Sequence, residues 1–164
     1  MDADVLVIGA GVVGLSVGLN LLDKGFKVII VEKENNFGKG ISSRNSEQIH
    51  SGAYYRPGSL KSKLAFKGKN LLYEFFNKYK IPYSQTGKIF LALNNEDLNG
   101  LDRIKNLSKK NGLEDLIELE SKDLKKIEPN IVGKAGLLSL SSGVFDTHSF
   151  MEKLLEIFNS NNGI

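Results

Sequence analysis

A chain of 164 residues, 41% hydrophobic and 25% charged, is long enough for one domain with a real core and a smaller second lobe. The absence of cysteine excludes disulfides, thiolate metal sites and cysteine nucleophiles, and no metal is expected. The net charge of +3 comes almost wholly from scattered lysines, with Arg44, Arg56 and Arg103 as the only arginines, so it reads as solvated surface and no nucleic-acid partner is expected.

The first element is an apolar run, Val5 to Ile8, read as a strand. It runs into Gly9, Gly11 and Gly14, spaced G-x-G-x-x-G, and then into a segment with helical spacing up to Leu22. Gly25 stops that helix, and Val28 to Val31 is a second strand ending at Glu32. Strand, tight turn, helix, strand and acid together make a dinucleotide-binding βαβ unit. Gly9 allows the sharp turn, Gly11 lets a pyrophosphate approach the backbone, and Gly14 lets the helix pack on the sheet. The amides of the first helical turn, around Val12 and Val13, favour phosphate through their free N–H groups and the helix dipole. Glu32 is placed to accept hydrogen bonds from ribose hydroxyls and to repel a 2′-phosphate, which makes NADP the least suitable ligand. The motif alone does not separate FAD from NAD.

Residues 33–40 read as a loop, and 41–55 as a polar stretch poor in helical periodicity. Arg56 to Ser59 is a turn whose serine caps a helix reaching Tyr79. Its expected apolar face is Leu60, Leu64, Leu71, Leu72, Phe75, Phe76 and Tyr79. Ile81-Pro82 breaks that helix, Gly87 to Leu93 is a strand, and Asp97 to Lys110 is a polar helix stopped by Gly112. A short strand at Leu116 to Leu119 leads to a helix from Lys122 to Ile127, capped by Ser121. Strand pieces at Gly136 to Leu140 and Gly143 to Phe145 precede a last helix, His148 to Phe158, capped by Asp146 or Thr147. The acidic start, Asp2-Ala3-Asp4, differs from a signal peptide, and Asn20, Asp23 and Lys24 interrupt the longest apolar stretch. The location expected is therefore cytoplasmic, with at most peripheral contact at the inner face of a membrane.

Residues 41–61 narrow the reading. Ser43-Arg44-Asn45-Ser46, Ile49-His50-Ser51-Gly52-Ala53-Tyr54-Tyr55 and Pro57-Gly58-Ser59-Leu60-Lys61 resemble the segment after the first βαβ unit in FAD-dependent oxidoreductases of the D-amino-acid oxidase (DAO) superfamily. Within that superfamily the pattern is most similar to the L-2-hydroxyglutarate dehydrogenase/oxidase group. Gly87-Lys88-Ile89 and Gly143-Val144-Phe145-Asp146 resemble landmarks of the family's substrate domain more loosely. One departure is Glu47, where the family commonly has glycine. Another is length, since family members are considerably longer, so the chain is similar to their N-terminal portion only. The fold class implied is α/β, a Rossmann-like FAD-binding βαβ unit with part of an inserted α+β substrate domain. The implied division is an FAD-binding part at 1–80, a partial substrate domain at 81–146, and a returning helix at 147–164.

The cofactor implied is FAD, held by Gly9, Gly11, Val12, Val13, Gly14, Glu32, Lys33, Ser42, Ser43, Arg44, Asn45, Ser46, His50 and Gly52. Independently, the serines, Arg44 and Asn45 supply donors for anionic oxygens, and Gly52 lets backbone approach a flat ring. Neutral His50 can take a hydroxyl proton as hydride leaves the substrate carbon for flavin; the other reading is a histidine that hydrogen-bonds backbone or flavin and titrates in no step. Tyr54 and Tyr55 either bind substrate carboxylate or pack as core or interface aromatics. The activity implied is oxidation of a 2-hydroxy acid, L-2-hydroxyglutarate to 2-oxoglutarate, with oxygen or a quinone as electron acceptor. An amino-acid or amine oxidase, a glycerol-3-phosphate dehydrogenase, and a non-catalytic nucleotide-binding fragment are the alternatives.

Overall fold

The computed structural model describes residues 2–164. In chain order the elements are β1 (Val5–Ile8), α1 (Val12–Leu22), β2 (Val28–Val31), a single 3-10 turn (Ile41–Ser43), β3 (Gln48–Ile49), α2 (Leu60–Tyr79), β4 (Tyr83–Ser84), β5 (Lys88–Ala92), α3 (Leu98–Lys110), β6 (Leu116–Glu120), α4 (Ser121–Ile127), β7 (Ala135–Ser139), β8 (Gly143–Phe145) and α5 (Thr147–Ser160). The fold is α/β, and packing divides it into two compact units. One holds the chain up to Glu47, Tyr79–Pro82 and Asp146–Ile164; the other holds Gln48–Lys78 and Tyr83–Phe145.

In the first unit the β-branched runs of β1 and β2 pair in parallel, Val5 opposite Val28 and Ile8 opposite Val31. Helix α1 connects them, as a parallel pair requires. Gly18 lets α1 lie close to its neighbours: a Cβ built there would stand 2.7 Å from Ile30 Cδ1 and 3.1 Å from Phe158. Leu15, Val28, Met151, Leu154 and Phe158 form the apolar interior between α1, β2 and α5. Asp146 caps α5, its carboxylate accepting from the Ser149 N–H at 2.9 Å. At the outer edge of β2 the Ile164 N–H donates to Val28 O and its carbonyl accepts from Ile30 N–H at 2.7 Å, a parallel bonding pattern.

The second unit contains two antiparallel three-stranded sheets, ordered β3-β8-β4 and β5-β7-β6. Lys88 and Ala92 of β5 face Ser139 and Ala135 of β7. Ala92, Leu101 and Leu137 form a core under α3, flanked by Phe90, Ile104 and Leu116. Ser59 caps α2 as expected, its hydroxyl accepting from the Ser62 N–H at 3.1 Å.

The apolar face expected for α2 is only partly the buried one. Phe76 is fully buried, but Leu60, Leu64 and Leu71 are exposed. The buried line runs Ser62, Lys69, Phe76. Polar partners explain it: Ser62 Oγ donates to Asn111 Oδ1 at 2.8 Å and Lys69 Nζ donates to Ser141 Oγ at 2.7 Å. Hydrogen bonding across the unit overrides the hydrophobic pattern there. The expected cap of α4 also shifts by one residue, because Glu120 and Asp123 form a reciprocal capping box and Ser121 is already helical. The two-residue strands β3 and β4 have too little periodicity to be read from sequence.

Candidate dinucleotide cleft and a histidine–tyrosine–lysine cluster

In the first unit the turn after β1 needs glycine for different reasons at different positions. Gly9 has φ +103°, a conformation L side chains rarely adopt. At Gly14 a Cβ would stand 1.9 Å from the Gly9 carbonyl oxygen, so the turn closes on the bare helix backbone. Gly11 has ordinary extended φ and ψ, and a Cβ there would meet only Ser42 Oγ, at 2.8 Å.

Around this turn lies a cleft of about 570 Å³, lined by Gly9, Gly11, Glu32, Lys33 and Ser42 among others. Glu32 Oε2 accepts from Ala10 N–H at 2.8 Å and Oε1 from Glu34 N–H at 3.1 Å. These bonds, Ala10 foremost, hold its carboxyl below the usual glutamate range. A carboxylate has about four lone-pair sites, so Glu32, which lines the cleft, keeps acceptor capacity beyond these two bonds. The Val12 N–H donates to Ser42 Oγ at 3.0 Å, so a neutral hydroxyl oxygen occupies the helix start. The cradle fits a dinucleotide: bare backbone at Gly11, an amide at a helix N-terminus and a fixed acid at the second strand's end.

The serine-rich loop is mostly used to hold itself. Ser43 Oγ donates to Gly40 O, Asn45 Nδ2 donates to Ser42 O at 2.7 Å, and Asn45 Oδ1 accepts from Glu47 N–H and Thr147 Oγ1. Arg44 and Ser46 are exposed and do not line the cleft beside the glycine turn, and Val13 is exposed too. Glu47 adopts φ +55°, and its carboxylate accepts from the Thr147 N–H at 3.1 Å, the first residue of α5.

The other expected residues gather in the second unit. His50 is half-buried, with its ring centroid 6.5 Å from that of Tyr55. Tyr54 and Tyr55 pack edge to face at 4.8 Å, and Tyr54 meets Phe90 at 5.7 Å. Gly52 has φ +87°, and the atoms nearest to where a Cβ would stand belong to α2. Two residues that sequence reasoning left unassigned join the cluster. Lys61 Nζ lies 4.4 Å from the Tyr55 ring centroid, and Lys88 Nζ lies 5.5 Å from those of Tyr54 and Phe90. Burial, then Lys88 and Lys61, push the His50 imidazole below its ordinary value and favour the neutral ring. Asn111 pins the loop, its Nδ2 donating to Gly52 O at 3.2 Å and Tyr55 O at 2.9 Å. Only its place before the helix-stopping Gly112 could have singled it out.

A parallel βαβ unit with a glycine turn and a fixed acid defines a dinucleotide-binding protein. The family model of FAD dependent oxidoreductases (DAO) matches residues 4–164. The chain belongs to that family, whose cofactor is FAD. It is 42% identical over 153 residues to the mitochondrial L-2-hydroxyglutarate dehydrogenase of Arabidopsis thaliana, covering 93% of this chain and 32% of that protein. The L-2-hydroxyglutarate dehydrogenase of Indibacter alkaliphilus is 36% identical, covering 96% of this chain and 40% of that one. Among solved structures, FAD-bound L-alpha-glycerophosphate oxidase from Mycoplasma pneumoniae superimposes with a TM-score of 0.92 at 28% identity, over 99% of this chain and 44% of its own. L-amino acid deaminase from Proteus vulgaris does so with 0.82 at 28% identity, over 98% and 38%. The chain thus spans between about a third and two fifths of the curated relatives' length.

Proposed function

We propose that this chain is part of an FAD-dependent enzyme that oxidises the CH–OH group of a 2-hydroxy acid, L-2-hydroxyglutarate to 2-oxoglutarate. The observation that carries the substrate is the 42% identity across 93% of the chain to a protein named for that reaction. In this reading the turn from Gly9 to Gly14 holds the pyrophosphate, with the amides of Val12 and Val13 as donors after Ser42 Oγ yields its place. Glu32 takes the ribose hydroxyls. Lys33, Ser43, Arg44, Asn45, Ser46 and Gly52 complete the cofactor contacts. FAD, when bound, would supply the acceptor for the hydride from the substrate's C2, with oxygen or a quinone as the electron acceptor in turn. A ring nitrogen of neutral His50 takes the hydroxyl proton, so the alcohol becomes the 2-oxo acid with both hydrogens accounted for. Tyr54 and Tyr55 bind the substrate.

The partition into FAD-binding parts at 1–80 and 147–164 and a substrate part at 81–146 belongs to the same proposal. It concerns role, whereas the two compact units concern packing. No helix among the described residues is long and apolar enough to cross a membrane. The compartment, read from sequence as cytoplasmic with peripheral contact at most, is set against eukaryotic relatives whose names say mitochondrial.

The structural match to a glycerophosphate oxidase favours a second reading, with glycerol 3-phosphate as substrate. The test is anaerobic bleaching of flavin absorbance in FAD-loaded protein by L-2-hydroxyglutarate, its D enantiomer, glycerol 3-phosphate and L-amino acids. The 164-residue chain and any longer natural polypeptide containing it are assayed in parallel. Bleaching by the L-hydroxy acid alone is expected. Flavin that stays oxidised with it in the longer protein, or that another substrate reduces faster, overturns the assignment.

A further inference from the structure

The five ion pairs among the described residues involve Lys33, Lys105, Lys122, Lys126 and Lys153. None involves Lys61 or Lys88. These two come from distant places in the chain, the first turn of α2 and the first residue of β5. Their ammonium groups are nonetheless brought onto two rings whose centroids are only 4.8 Å apart. Long lysine side chains on an open surface spread away from like charge. Here two cations without a carboxylate partner flank one aromatic pair beside a half-buried histidine, and the charges acting on that histidine are both positive. Such an arrangement gains most from a ligand carrying two separated negative charges. A neutral ligand uses neither lysine, and a monoanion satisfies one.

Resting on the hydroxy-acid reading above, we propose that Lys61 and Lys88 are the recognition pair for a dicarboxylate, each receiving one of the substrate's two carboxylates over the Tyr54–Tyr55 platform. Lysine is a compact point charge without the planar fork of arginine. The pair therefore selects by number and spacing of charges and tolerates a change at C2 of the ligand. Glutarate and 2-oxoglutarate bind at it as well as the hydroxy acid, and chirality is read elsewhere. The tyrosine rings lie against the ammonium groups and hold them in place, and the side-chain hydrogen bond between Tyr54 and Tyr55 fixes the platform itself.

The experiment uses glutarate, which carries no hydroxyl to oxidise, and butyrate as its monoanionic counterpart. Both are titrated by calorimetry and by tyrosine fluorescence into wild-type protein, Lys61→Met, Lys88→Met, the double Met variant, and the double Arg variant. Near-ultraviolet circular dichroism verifies that the tyrosine pair remains packed. Each single Met variant loses roughly 10- to 100-fold in glutarate affinity, the range for a hydrogen-bonded charge pair. The double Met variant no longer prefers glutarate to butyrate, and the double Arg variant keeps the preference. Equal binding of the two acids by wild type, or an intact preference in the double Met variant, overturns the proposal. Turnover separates it from the reading it rests on. If L-2-hydroxyglutarate is oxidised with unchanged KM by the double Met variant, the lysine assignment falls and the oxidation stands. If glutarate binding depends on both lysines but no 2-hydroxy acid reduces the flavin, the recognition pair stands and the oxidation falls.

Discussion

Replacing Gly9, Gly11 and Gly14 one at a time by alanine separates the folding role of the turn from its ligand role. At Gly14 the new Cβ would stand 1.9 Å from the Gly9 carbonyl oxygen. A relaxed carbon–oxygen contact is about 3.3 Å or more, so backbone on one side must move by more than an ångström. Overpacking of this kind costs about 1–3 kcal/mol, at the upper end here because the obstacle is backbone, while alanine in place of a helical glycine returns up to ~1 kcal/mol. The net loss is about 2 kcal/mol, which for a chain of this length lowers Tm by roughly 4–8 °C. At Gly9 nothing lies within 4 Å, and the penalty is conformational, from φ +103°. That costs an alanine about 1–2 kcal/mol. At Gly11 the only neighbour within 3 Å is Ser42 Oγ, which can rotate away at the loss of its hydrogen bond from the Val12 N–H, about 1 kcal/mol, so Gly11→Ala melts only about 2–4 °C below wild type. On the proposed reading of the cleft its methyl group nevertheless stands in the path of the pyrophosphate, and the affinity for FAD is expected to fall roughly 10-fold or more. Thermal unfolding followed by circular dichroism, with and without added FAD, reads both quantities, because a ligand that binds only folded protein raises Tm. Gly14→Ala melting with wild type would show that the turn is not closed as described. Full FAD stabilisation in Gly11→Ala would remove the pyrophosphate from this cleft.

The main elements were legible because their signals are local. The run Val5–Ile8, the glycine spacing and the run Val28–Val31 lie within 30 consecutive residues, and each strand begins and ends as read. The same holds for Asp146, whose capping is decided by the three residues that follow it. What was not legible depends on partners far along the chain. The buried face of α2 is set by Asn111 and Ser141, 49 and 72 residues beyond Ser62 and Lys69, and no hydropathy pattern encodes them. Lys61 and Lys88 look like any other lysine until a turn and a strand bring them to the same aromatic pair. Glu47 was noticed as a departure from a glycine position, but only φ +55° and its bond to Thr147 show what the departure entails. A carboxylate at the start of α5 offsets a backbone conformation that glycine would adopt more easily.

Further expectations concern the loops that carry the site residues. Glu47→Ala keeps the strained φ and loses the bond to Thr147, so urea unfolding should find it about 1 kcal/mol less stable than Glu47→Gly; equal stabilities would deny the strain. Asn111→Ala removes hydrogen bonds to Ser62, Gly52 and Tyr55 and should cost about 1–3 kcal/mol, with faster amide exchange confined to residues 52–55 and the start of α2; unchanged exchange there would refute its pinning role. The last expectation is the titration of His50, which tests the electrostatics of the lysine cluster directly. Burial comes first among the causes that lower its pKa, followed by Lys88 and Lys61. Its folded value thus lies below 6.5, and between that value and 6.5 the unfolded chain binds more protons than the folded one. His50 therefore favours folding above pH 6.5, and that advantage shrinks as pH falls through the window toward its folded value. The same sign puts the acid limb of any His50-dependent rate below the usual histidine range. Lys88→Met removes one of the two like charges and leaves the burial, so it should raise the His50 pKa part of the way back to 6.5; Lys61→Met should do so by less. The chain has two histidines, so the imidazole carbon-bound protons in a proton–carbon NMR titration are assigned by one His50→Gln variant. A His50 pKa that both methionine variants leave unmoved would mean that the ammonium groups do not act on the ring. A value above 6.5 in wild type would mean that burial and the two ammonium groups do not set the charge of the ring.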